Sequence, residues 1–433
     1  MKKLKEKFIK STLILVIGGL ITKILGMIIK IITTRIVGLE GIGLYTMVMP
    51  SFNLFITIAT LSLPLSLSKI VSENTRNNKE VIFGSVPIAL LFNLLIIIFI
   101  FIIAKPFATF FLKNENLTIP IMSIGLTLPF ITISGIAKGY FFGKQRMLPH
   151  VISNIVEQIV RISIIMMFLP RILKYNVIYS VTALVLINII SELSSIIVLL
   201  LFLPQKFIIK KEYFRFEYDN FRNIASISIP NTLSRIISSI GIFLEPIILT
   251  FILTFIGHSN SYITNEYGII SGYVIPIVSL PSFLSGAISS ALLPVLTKYN
   301  VLKNKVKLKN KLIQAITVSL IIGVPFTIIL FLFPKECLNL VFKEIIGANY
   351  LKVASLIFLI TYIQAPIISC LQAINKSKTI MKTTTISMII KTVVLIGLTF
   401  LDIGMYSLLV ATLFSSICAI VVHIIVIKKY LNT

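Results

Sequence analysis

Charge is scarce in this chain: of 433 residues only 13% are Asp, Glu, Lys or Arg, against 57% hydrophobic, and the mean hydropathy is +1.01. A soluble domain carries about a quarter charged residues, so that class is excluded. Cysteine and histidine are scarce too, three of each. Cys337, Cys370 and Cys418 stand far apart in or beside apolar runs, and no spacing among them or the histidines fits a metal, redox or disulfide framework. Acids are few, 15 against 40 bases, which leaves a net charge of +25. In a soluble protein that balance would suggest nucleic acid. Here the Lys and Arg fall mostly in short gaps between apolar runs, so the expected partner is the lipid bilayer and not nucleic acid.

Long apolar runs are what the chain has instead. A bilayer core takes about 20 apolar residues per helix. Runs of that kind lie near 8–34, 42–70, 81–104, 118–141, 149–169, 177–203, 223–256, 267–297, 312–334, 349–373, 380–401 and 404–427. The pattern predicts an all-α polytopic membrane protein of about twelve transmembrane helices. With the N-terminus inside, 27 of the 40 Lys and Arg fall in inner segments, 8 in outer loops and 5 within helices (Lys23, Lys30, Arg161, Arg235 and Lys391). Basic loops stay cytoplasmic. Both termini are therefore expected in the cytoplasm and the protein in the cell membrane. The first run is too long, and too poor in small-residue cleavage sites at its end, for a removable signal peptide. The most basic inner loop, TKYNVLKNKVKLKNK (297–311), alternates Lys with Val and Leu. It reads either as a solvated topology signal or as a segment lying on anionic headgroups.

The stretch QKFIIKKEYFRFEYDNFRN, near the midpoint, mixes both charge signs with interfacial aromatics. It divides the chain into an N-terminal six-helix lobe (1–204), a cytoplasmic linker (205–222) and a C-terminal six-helix lobe (223–433). The halves echo each other: GLITKILG (19–26) aligns with NTLSRIIS (231–238), matching Lys23 to Arg235. YTMVMPSFNL (45–54) aligns with SGYVIPIVSL (271–280), matching Val48, Pro50 and Leu54 to Val274, Pro276 and Leu280. Both halves begin on the same side, so the repeat is parallel. The expectation is that Lys23 and Arg235 face each other across a central cleft, with the two prolines bending their helices.

An unpaired charge at the bilayer centre costs at least ~2.5 kcal/mol. In SNIVEQIVRIS (153–163), Glu157 and Arg161 stand four apart with the acid first, the order that lets the two meet on one helix face, and Gln158 lies on an adjacent face. Lys23 and Lys30 are two turns apart on one face of the first helix. Glu245, next to Pro246, is a candidate coupling-ion site or a balance for Lys30, and Glu192 and Lys391 have open roles. Bases outnumber acids in the helix interiors, so the cleft is expected to attract anions such as phosphate or pyrophosphate, with Arg supplying the fork and Lys a mobile point charge. The expected substrate-binding residues are Lys23, Arg235, Arg161, Glu157 and Lys30.

GGLITKILGMIIKIITTRIVGLEGIGLYTMVMP (18–50), GYFFGKQRMLPHVISNIVEQIVRI (139–162) and PNTLSRIISS (230–239) carry a resemblance. The chain resembles the lipid-linked oligosaccharide and polysaccharide flippases of the multidrug/oligosaccharidyl-lipid/polysaccharide (MOP) superfamily, in particular the stage V sporulation protein B group. Lys23 stands where that group commonly has Arg. The resemblance implies two MATE-like six-helix bundles around a cavity that opens alternately to each side. It also implies export of an anionic lipid-linked oligosaccharide or peptidoglycan precursor. No cofactor and no covalent chemistry are called for, so the chain is not expected to be an enzyme. A cation-coupled multidrug exporter, which needs an acid-dominated cavity, and a non-transporting scaffold for cell-wall synthesis are the other readings.

Overall fold

The structure, a computed structural model, describes residues 2–73, 78–203 and 218–432. It is built of helices, with no strand among the described residues. Eleven helical spans among those residues are long and apolar enough to cross a bilayer. The first, Ile14–Glu73, has 60 residues. As one straight helix it would reach ~90 Å, about three times the hydrocarbon thickness. It holds the first two apolar runs of the sequence, joined at Gly38, whose backbone (φ 66°, ψ −167°) is a region open in practice only to glycine. The eleven spans thus account for all twelve runs.

The chain forms two compact units, Met1–Phe243 and Leu244–Thr433. The linker expected over 205–222 lies outside the described residues as far as 217. The first unit holds α1 (Lys2–Ala59), α2 (Leu63–Glu73), α3 (Asn78–Pro106), α4 (Thr118–Gly143), α5 (Met147–Leu173), α6 (Val177–Leu201) and the start of α7 (Tyr218–Ile256). Its core joins Leu67, Val71, Ile82, Phe141, Leu199 and Ile224. Close approach of α2 and α4 rests on small residues at every fourth position of α4. A Cβ at Gly139 would sit 2.9 Å from the Pro64 carbonyl oxygen, and one at Gly143 would sit 2.8 Å from that of Ser68. The first part of α7 docks on α1 and α2 through hydroxyls: Ser228 with Ser66, Thr232 with Ser62, and Ser239 with Thr57.

The second unit holds the rest of α7, α8 (Asn260–Gly268), a π-helical turn (Ile269–Val274), α9 (Ile275–Val278), α10 (Leu280–Val301), α11 (Lys305–Leu332), α12 (Pro334–Phe342), α13 (Ala348–Tyr362), α14 (Gln364–Ala373), α15 (Ser377–Phe400) and α16 (Tyr406–Asn432).

In both units the second apolar run breaks. Pro50 stays inside α1, and the break comes later, at Leu61 and Ser62, which adopt left-handed φ values of 46° and 49°. The carbonyl of Ala59 freed there accepts a 3.3 Å bond from buried Asn93 of α3. In the second unit the break falls at Ser279, between Pro276 and Pro281. The Ser282 amide turns to the Ser279 carbonyl, and the Val278 carbonyl is taken by the Tyr362 hydroxyl at 2.7 Å. In lipid no water could satisfy these groups, so a side chain must.

Candidate functional site

Helices α4, α5 and α6 bring four charged side chains together inside the first unit. Glu157 accepts from Arg161 Nη2 at 3.0 Å through Oε1 and from Lys138 Nζ at 3.2 Å through Oε2. Lys138 Nζ also lies 3.7 Å from Glu192 Oε2. Gln158 Nε2 donates to Glu157 Oε1 at 3.4 Å. The side chains are 8–21% exposed, so this is an interior network. Two cations against two carboxylates leave it neutral, which is what makes it tolerable at membrane depth. Some hydrogen-bonding capacity stays unused: Arg161 Nε and the Ser195 hydroxyl are buried without hydrogen-bond partners.

The Glu157–Arg161 pair is the one expected from the i, i+4 spacing. Lys138 corrects the sequence reading, which counts it among the inner bases although it falls inside the apolar run 118–141. It lies inside α4, and the Gly135, Gly139, Gly143 repeat that carries the helix to Gly143 is the signal that could have found it. Glu192, whose role the sequence leaves open, shares its ammonium.

Lys23 and Arg235 are exposed and Lys30 is half-buried. Arg235 makes no ion pair among the described residues. It shares a helix face with Ser228, Thr232 and Ser239, lying seven, three and four positions from them. In the second unit Glu245 Oε1 accepts from Lys391 Nζ at 2.6 Å, with side chains 12% and 22% exposed. Its carboxylate is thus balanced by Lys391, and not by Lys30.

The fold is similar to that of solved transporters of the MOP superfamily. A solved inward-facing multidrug resistance MATE family transporter of that superfamily superposes with a TM-score of 0.71 at 16% identity, covering 95% of this chain and 94% of that one. The lipid II flippase MurJ in its inward closed conformation gives 0.72 at 16% identity, over 95% and 87%. Fold and spans together define a multi-pass membrane protein of MOP architecture. Sequence sets the family: models described as "Polysaccharide biosynthesis protein" match residues 8–300 and 300–433. The chain belongs to the polysaccharide biosynthesis protein family. Stage V sporulation protein B of Bacillus subtilis (strain 168) is 30% identical over 398 residues, covering 90% of this chain and 77% of that protein. Lipid II flippase MurJ of the same strain is 30% identical over 172 residues, 37% of this chain and 32% of that one. The resemblance drawn from the three sequence stretches is thereby upheld.

Proposed function

We propose that the chain is an alternating-access flippase that moves an anionic lipid-linked oligosaccharide or peptidoglycan precursor from the inner to the outer leaflet of the cytoplasmic membrane. The observation that carries this reading is the charge balance within the spanning helices of the first unit. Away from the ends of that unit's apolar runs, five bases, Lys23, Lys30, Lys138, Arg161 and Arg235, stand against Glu157 and Glu192. A net excess of positive charge at membrane depth attracts a phosphate or pyrophosphate group and repels the cations a multidrug exporter carries. Lys30 and Arg235 contribute to that excess, since Lys138 and Arg161 are matched by the two carboxylates. Arg161 Nε keeps a free donor for a phosphate oxygen. Both termini lie in the cytoplasm in this reading, because moving Lys138 into α4 leaves 26 inner bases against 8 outer ones. The membrane potential, about 2.3 kcal/mol per charge per 100 mV, then favours return of the empty cationic carrier.

The test is flipping of a labelled polyprenyl-pyrophosphate sugar by protein in reconstituted vesicles. Arg235→Ala abolishes it with insertion unchanged; undiminished flipping by that variant removes Arg235 from the site.

Coupling to an inward-moving cation is a second reading, favoured by the buried carboxylate of Glu192, whose ion-pair contact with Lys138 is a long 3.7 Å. Glu245 becomes such a site only when Lys391 leaves it. If Glu192 is the site, Glu192→Gln uncouples transport from an imposed proton or sodium gradient, and an unchanged gradient response in that variant dismisses it.

A further inference from the structure

The second unit is charged differently at its two ends. Its long helices run back and forth, so their termini alternate between two levels. At one level the signs are mixed, with Glu266, Glu336, Glu344 and Asp402 beside Lys335, Lys343 and Lys352. At the other stand three lysine-rich segments far apart in sequence: six lysines from Lys298 to Lys311, three from Lys376 to Lys382, and Lys428 with Lys429. Residues 267–335 contain no Asp or Glu, and from residue 345 to the end of the chain Asp402 is the one acid.

One residue ties the three segments together. Asn300, at the end of α10, donates through Nδ2 to the Ala373 carbonyl at 3.0 Å and accepts at Oδ1 from the Tyr430 hydroxyl. Lys305 Nζ sits 5.7 Å above the Tyr430 ring. Leu296, Leu308, Leu371 and Ile374 are buried beneath the hub. Most of the lysines are exposed. Between them Val301, Leu302 and Val306 are 75%, 61% and 70% exposed.

We propose that this end of the second unit is a binding platform for anionic phospholipid headgroups of the leaflet in which it lies. The charge is of one sign, it stands at the ends of bilayer-length helices, and bare apolar side chains are interleaved with it. Lysines meet headgroup phosphates while Val301, Leu302 and Val306 enter the headgroup–acyl boundary. A nucleic acid would leave those three side chains in water. The alternation read from TKYNVLKNKVKLKNK is thereby resolved toward a headgroup-contacting segment. The proposal stands apart from the transport reading.

The experiment uses the full chain in bilayers of mixed phosphatidylglycerol and phosphatidylcholine, with native mass spectrometry of the lipids retained after gentle extraction. Wild type holds phosphatidylglycerol in excess over its share of the bilayer and loses it as salt rises. K303Q, K307Q and K309Q together lower that retention about tenfold. Arg at the same three positions keeps it. Equal retention by the Gln chain, loss from the Arg chain, or wild-type retention indifferent to salt each overturns the platform. Recovery of only a lipid-linked pyrophosphate, with no phosphatidylglycerol enrichment, does the same. Should the Gln chain fail to insert, the Arg chain and the salt series decide.

Discussion

Replacing Lys138 with methionine keeps the length and apolar stem of the side chain and removes the ammonium that two buried carboxylates share. Its Nζ lies 3.2 Å from Glu157 and 3.7 Å from Glu192. At an effective dielectric of about 20 each separation corresponds to roughly 4–5 kcal/mol of attraction. Desolvation and repulsion between the carboxylates offset part of that. The net loss on removing one partner of a buried pair is about 3–5 kcal/mol. Arg161 still neutralises Glu157, so the stranded charge belongs to Glu192. Lys138→Met should therefore lower the unfolding free energy by about 3–5 kcal/mol in a mixed-micelle titration. Adding Glu192→Gln should restore more than half, because the cluster is neutral again. A double-mutant cycle over the four chains isolates the coupling. The reasoning fails if Lys138→Met stays within about 1 kcal/mol of wild type, the value of a solvated pair, or if the double variant is no more stable than Lys138→Met alone.

Gly139→Val should lose folded yield in detergent, since its Cβ would press on the Pro64 carbonyl oxygen at 2.9 Å; full yield with an unshifted melting curve would contradict the packing of α2 on α4. Tyr362→Phe should destabilise by about 1–3 kcal/mol by orphaning the Val278 carbonyl, as read from thermal melts, and no change would mean that another donor reaches it. The chain carrying Lys23→Ala, Glu157→Ala and Arg235→Ala together should fail to complement loss of the native protein while inserting normally. Full complementation would favour a scaffold over a transporter.

The apolar runs were legible because a bilayer demands length and hydrophobicity and little else, and these survive without knowledge of packing. The Glu157–Arg161 pair was legible because its geometry is local. Lys138 was not, since a lysine five residues from the end of a helix looks the same in sequence whether it snorkels outward or turns in toward carboxylates on two other helices. The breaks at Leu61 and Ser279 were missed for a related reason. Prolines at 50 and 276 mark bending tendency, but where the helix opens depends on which carbonyl a distant side chain can satisfy. Asn93 and Tyr362 lie 34 and 84 residues from the groups they satisfy.

The lopsided charge of the second unit also bears on how the chain is made. With the lysine-rich end on the cytoplasmic side, as the positive-inside rule favours, turning that unit over would drag eleven lysine ammonium groups outward through the electric field, at ~25 kcal/mol per 100 mV. Copies with the lysine-rich end inside could not invert against that climb. The handedness of the whole molecule across the envelope is thus settled during synthesis and stays settled, whatever motions the helices make afterwards.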